Sequence, residues 1–293
     1  MQQPQHHTQL LPVAALLLAA TLWGIFWIPL RWLEGMGLDG LLATFLIYSG
    51  TIFISIPVII RYRTQWRLQP GLLLLIMISS GWCNTAFILA ILDGEILRVI
   101  LLFYLSPVWA TILARLVLKE QLTTRAYVTL CIALVGALLI LWHEDIGYPW
   151  PQSGADWMAI SSGFAFALTN LFVHMAGRVG VQTKTVAAWL GVILLSGVAL
   201  LVTDVNMETA NTLNMFSAVG VGFVLMTIMT VSVVYGVTHM PVHRSAIILL
   251  FEVVAAAISS YLLTDERLGW REVSGGLIVV LAAYLAGTRQ QTT

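Results

Sequence analysis

The chain has 293 residues, of which 59% are hydrophobic and only 10% charged, with 14 basic side chains balanced by 14 acidic ones. A soluble globular domain carries roughly 25% charged residues, so this composition excludes that class and indicates an integral membrane protein. The basic residues form no dense face or run, which sets nucleic acid aside as a partner.

Residues 1–9 (MQQPQHHTQ) hold no Lys or Arg, and the apolar run behind them lacks a small-residue cleavage site. The run therefore reads as a first transmembrane helix that the mature chain keeps, not as a secretory signal. His6 and His7 belong to a polar end and have no further metal ligands beside them. Apolar runs of about twenty residues then predict ten spans, near 10–32, 38–60, 70–92, 96–117, 124–142, 156–176, 184–203, 215–238, 245–263 and 271–288. The links are short except for the polar stretches 143–155 and 204–214. No link is long enough to bury a soluble core of its own.

A shift of about 146 residues lays Arg98 on Arg244, Glu120-Gln121-Leu122 on Glu266-Arg267-Leu268, Arg125 on Arg271 and Phe26 on Phe172. The predicted organisation is a cytoplasmic tail (1–9), a first five-span repeat (10–142), an outside linker (143–155), a second five-span repeat (156–288) and a cytoplasmic tail (289–293). An odd number of spans per repeat inverts the second copy relative to the first, and inverted repeats are a hallmark of secondary transporters. With both ends inside, ten basic residues face the cytoplasm (Arg61, Arg63, Arg67, Arg115, Lys119, Arg125, Arg178, Lys184, Arg244, Arg289) and four face out. Trp32, Trp66, Trp142, Trp150, Trp157 and Trp270 fall near span ends and are assigned to the interfacial aromatic belt. Cys83 and Cys131 sit in apolar stretches without metal-ligand spacing and read as lipid-facing or packing residues.

Glu252 stands out from this background. It lies about eight residues into the predicted ninth span, roughly 12 Å into a hydrocarbon core about 30 Å thick. An ionised carboxylate at that depth costs several kcal/mol unless paired or hydrated, which points to substrate or proton handling over a plain helix-fastening role. The repeat shift lays Glu252-Val253 on Ser106-Pro107 of the fourth span. Pro107 cannot donate to the carbonyl of Phe103, so a helix break is expected there. Ala110 and Ala114 map onto Ala256 and Ser260, a small-residue spacing that predicts direct contact between the fourth and ninth spans. Tyr104, Trp82 and Trp23 are the expected apolar walls of a cavity, and Asn84, Asn170 and His174 its hydrogen-bonding groups. Thr230 and Tyr235 of the eighth span belong to the same mid-span polar set.

No HExxH or GxGD-like pair, nucleophile–histidine pair or phosphate loop occurs, so no catalytic residue, metal, cofactor or direct use of ATP is expected.

The stretch 98–122 (RVILLFYLSPVWATILARLVLKEQL), its partner 244–268 (RSAIILLFEVVAAAISSYLLTDERL) and Trp23-Gly24 resemble the EamA domain, repeated twice, of the drug/metabolite transporter superfamily. Within it, residues 103–114 (FYLSPVWATILA) are similar to bacterial aromatic amino acid exporters. The resemblance implies an all-α membrane fold of ten helices in two inverted five-helix repeats, with a central cavity. It also implies export of small metabolites or drugs across the bacterial inner membrane. Generic members often carry Glu-Pro where this chain has Glu252-Val253, so the ninth helix is not expected to break. Glu120 and Glu266 match the helix-ending acidic residue of the motif and read as end anchors.

The function expected is alternating-access export of small organic solutes, amino acids or related compounds foremost, with protons as the candidate coupling ion, lipid as surroundings and dimerisation open. A lipid-linked sugar flippase and a non-transporting scaffold or receptor are the alternatives.

Overall fold

A computed structural model describes residues 10–142, 150–203, 211–264 and 269–288. His6, His7, Glu266, Arg267 and Arg289 lie outside the described residues, as do most of the two long polar links and the proposed tails.

The described residues form only helices and their connections. Among the described residues, nine helices are long and apolar enough to cross a membrane: Leu10–Gly35, Pro70–Asp93, Ile96–Leu116, Thr124–Leu141, Gly154–Met175, Val181–Val202, Thr212–His239, Val242–Leu263 and Trp270–Gly287. The pair Gly40–Gly50 and Ile52–Arg61, bent by 40° at Thr51, supplies the second of ten spans among the described residues. The starts of these helices follow from local chemistry. Asp39 accepts from the N–H groups of Leu41 and Leu42, Thr123 caps the fifth span, and Asn211 caps the eighth. Ser153 and Asp156 form a reciprocal capping box at the sixth. Pro70 opens the third span, where a missing N–H carries no cost.

The fourth and ninth spans have the same internal construction. The fourth divides into Ile96–Phe103 and Ser106–Leu116, the ninth into Val242–Leu249 and Phe251–Leu263, and adding 146 to Ile96–Phe103 gives Val242–Leu249. The expectation that the ninth span runs unbroken is thus incorrect. At Leu250 the helix tightens into three-residue hydrogen bonds, Leu250 N–H to Ile247 O (3.2 Å) and Val253 N–H to Leu250 O (3.1 Å), without a proline. In the fourth span the equivalent bonds are displaced by one residue, Leu105 to Leu102 (3.2 Å) and Val108 to Leu105 (3.0 Å). Pro107 has no N–H to make the bond that Val253 makes, which accounts for the displacement.

The pseudo-symmetry extends to packing. The fifth and tenth spans lie against each other, with Gly136 and Gly275 apposed: a Cβ on Gly275 would stand 2.7 Å from the Gly136 carbonyl oxygen. The second half of the fourth span packs on the sixth, as the second half of the ninth packs on the first. Here the predicted use of the small-residue stripes needs correction. Ala110 and Ala114 cluster with Ala167 of the sixth span and with Val242 and Ala246 in the first half of the ninth. Ala256 instead faces Gly24 of the first span, where a Cβ on Gly24 would come within 2.8 Å of the Ala256 nitrogen. The fourth and ninth spans do touch, but each small-residue stripe mainly receives the first helix of a repeat.

Candidate substrate site

Glu252 is ten residues beyond Val242 in a 22-residue span, which places it about 15 Å along a hydrocarbon core about 30 Å thick. Its side chain is half-buried and lies within electrostatic reach of the Tyr104 hydroxyl. Tyr104 is the residue at which the fourth span breaks. The two equivalent breaks therefore bring a phenol and a carboxyl together near the midplane. Behind Glu252 stands the first span, close enough that a Cβ on Gly24 would lie 2.5 Å from the Glu252 carbonyl oxygen. Only glycine fits there.

The fourth span is held from the other side by the sixth. Phe103 O, the acceptor that Pro107 cannot use, faces Gly163, whose hypothetical Cβ would be 2.6 Å away. The Phe103 ring packs against Tyr104, Phe87 and Phe166 at centroid separations of 5.8, 5.0 and 5.7 Å. Trp23 joins the same apolar core and meets Phe26 edge to face at 5.6 Å.

The third span adds a polar edge. Cys83 is within electrostatic reach of both Glu252 and Tyr48, and its carbonyl accepts from Ser162 Oγ at 2.7 Å. Next to it, Asn84 Oδ1 accepts from the Tyr48 hydroxyl (2.8 Å), and Asn84 Nδ2 donates to Ser80 O (3.0 Å). Glu252, Tyr104, Trp23 and the Tyr48–Asn84 pair thus belong to neighbouring parts of one core, built from five spans.

Three other candidates are placed differently. Trp82 is 44% exposed and continues the outward stripe of Leu74, Leu75 and Ile78, and its indole donates to Ser161 Oγ at 3.2 Å. Depth alone did not reveal that this ring faces away from the core. His174 is the second-last residue of its helix, and its Nδ1 is 2.9 Å from Val237 O, so it joins two span ends instead of meeting Glu252. Asn170 is buried, and its Nδ2 makes no hydrogen bond among the described residues. Tyr235 stacks on His239 at 4.3 Å near the end of the eighth span.

Lys184 is the residue that sequence reasoning missed. Read as a cytoplasmic charge, it is fully buried, and its Nζ donates to Val173 O (2.9 Å) and Thr238 Oγ1 (3.0 Å). No carboxylate lies within 4 Å of it among the described residues. The negative ends of the sixth and eighth spans supply the compensation. The signal was Val181-Gln182-Thr183 directly ahead of it, which extends the seventh span by almost one turn.

Residues 10–142 and 153–288 each match the EamA-like transporter family. The chain belongs to that family. This EamA-like protein is accordingly a multi-pass membrane transporter of small molecules. Its fold is shared by 27 chains of solved structure. One, described as a crystal structure of a protein, superposes with a TM-score of 0.78 at 13% identity, covering 94% of this chain and 95% of that chain. Such distant identity establishes a common fold alone. No curated protein matches the sequence.

Proposed function

We propose that this EamA-like transporter is a secondary active exporter of small organic metabolites, amino acids or related compounds, in the bacterial inner membrane. The observation that carries this reading is the meeting of Tyr104 with Glu252 where two symmetry-related spans lose their regular helix. A midplane carboxyl beside locally unwound backbone offers a group that can hold a proton or a substrate ammonium. The aromatic surroundings, Trp23 and Phe103 among them, suit the apolar part of such a solute. Both termini are cytoplasmic in this reading, which rests on the ten-to-four distribution of basic residues. The two five-span halves exchange access to the site, and protons are the coupling ion.

The test is transport of labelled amino acids by the purified chain in proteoliposomes, with and without an imposed pH gradient, in wild type and E252Q. Gradient-dependent movement in wild type, lost in E252Q, supports the reading. Equal movement by both proteins reduces Glu252 to a structural residue. If neither moves an amino acid, drug, sugar or lipid substrates take precedence.

A further inference from the structure

A second polar site lies far from Glu252, between the fifth, ninth and tenth spans. A small cavity is lined there by Ala126 and Thr129, by His243, Arg244 and Ile247, and by Leu285 and Ala286. It has room for a water-sized group, which is also the size of one phosphate oxygen. His243 is buried, with its Nδ1 held 2.5 Å from Glu120 Oε2, while its buried Nε2 makes no hydrogen bond among the described residues. Arg244, also buried, is oriented by Ala286 O (2.5 Å, from Nε) and Thr288 O (3.0 Å, from Nη2). The exposed Arg125 reaches the same residue, donating from Nη2 to Thr288 Oγ1 at 2.9 Å, and lies within electrostatic reach of Arg244.

Two guanidinium groups therefore converge on the end of the tenth span, and no carboxylate lies within 4 Å of either among the described residues. Like charges placed together are costly unless an anion joins them. The carboxylate of Glu120 nearby is engaged by Nδ1 of His243 and by the Val242 N–H. That engagement fixes the ring and commits Nδ1 to Glu120, which leaves Nε2 as the ring atom available to a ligand. We infer that this cavity, with His243 and Arg244 in its wall and Arg125 beside it on Thr288, binds a phosphate oxyanion, with one oxygen in the hollow and the remainder outside it toward Arg125. Basic pockets between span ends are also where anionic lipid headgroups are held, so phospholipid and free phosphate are the two sources of that chemistry. The inference does not depend on the role proposed for Glu252.

Native mass spectrometry of the full chain in detergent, titrated with phosphatidylglycerol or phosphatidylcholine, tests it. Thermal unfolding in inorganic phosphate against chloride at equal ionic strength forms the second arm. Wild type is expected to retain phosphatidylglycerol or to be stabilised by phosphate, and whichever arm responds identifies the source. R125Q and H243Q should each weaken that response about tenfold, the loss of one charge-assisted hydrogen bond, while R125K retains most of it. Arg125 is exposed, so R125Q tests the site without disturbing the buried Arg244. The proposal is overturned if wild type holds both lipids equally and phosphate protects no better than chloride. A folded R125Q and H243Q that respond as wild type does overturn it equally.

Discussion

Tyr104 and Glu252 belong to opposite repeats, yet the phenol and the carboxyl come within electrostatic reach of each other because each sits where its own span loses helical regularity. Neither half of the chain holds this pair alone. A rearrangement that moves one repeat against the other must change the separation of the two groups, which gives the pair a place in conformational exchange as well as in binding.

That relationship can be tested as a thermodynamic cycle. Y104F removes the hydroxyl beside the carboxyl and should reduce transport by about tenfold, the order expected for losing one polar contact to a charged group, roughly 1.5 kcal/mol. In an E252Q background the same substitution should do much less, since the partner has already changed. Initial rates for wild type, both single variants and the double variant decide the matter. Additive losses would mean that the two side chains act independently.

The close approach at the fourth break predicts a sharp contrast among glycines. G163A places a methyl 2.6 Å from Phe103 O, a backbone atom that cannot swing aside. It should destabilise the protein by about 1–3 kcal/mol through displacement of the sixth span. Gly220 is exposed, with nothing within 4 Å of its hypothetical Cβ, and G220A should be neutral or gain up to about 1 kcal/mol from helix propensity. Thermal unfolding of the two variants beside wild type gives the comparison. Equal midpoints for G163A and G220A would show that the contact yields freely.

The helical layout was legible because each span combines length with hydropathy, two properties that a membrane makes obligatory. The break in the fourth span was legible through Pro107, since a missing N–H leaves a definite mark in a sequence. The break at Leu250 was not, because it involves only ordinary helix formers and arises within the paired architecture. Glu252 and Tyr104 could be singled out by depth and polarity. Trp82 shows the limit of that reasoning: equal depth is compatible with either face of a helix, and its face is decided by packing against the sixth span. Lys184 escaped notice because a charge at a span boundary reads as solvated unless neighbouring helix ends are known to close over it.

Glu120 gives the protein an acid-sensitive joint. The fourth span ends in a turn in which Lys119 adopts a left-handed φ of 54° and the Glu120 N–H reaches back to Ala114 O at 3.1 Å. This turn directs the Glu120 carboxylate to His243 Nδ1 and the Val242 N–H at the start of the ninth span. Burial pushes its pKa upward, but the hydrogen bond and charge of His243 together with the Val242 N–H outweigh it, and the carboxyl titrates below its ordinary value of 4.5. A lowered folded pKa means that the stabilisation is fully present above about pH 4.5 and disappears as pH falls through the folded value. Wild type should therefore be more stable than E120Q near pH 7, with the difference closing toward pH 3. Unfolding midpoints across that range check the prediction, and a gap independent of pH would count against it.

The ion pair between Arg98 and Asp156 predicts the largest single loss. Arg98 Nε lies 3.0 and 2.9 Å from the two carboxylate oxygens, and the paired side chains are only 9% and 3% exposed. The guanidinium also donates to Trp150 O, and Asp156 accepts from Gln152 N–H (2.7 Å) and Ser153 N–H (3.3 Å). One carboxylate thus caps the sixth span and anchors the start of the fourth across the inter-repeat link. D156N removes the charge of one member of this buried pair and weakens the cap as well, so a cost of about 3–5 kcal/mol is expected. R98K keeps the charge but loses the planar donor set, and should fall between wild type and D156N. Chemical denaturation in detergent measures all three proteins. A D156N variant within about 1 kcal/mol of wild type, the range of solvent-exposed ion pairs, would mean that solvent reaches this pair and screens it.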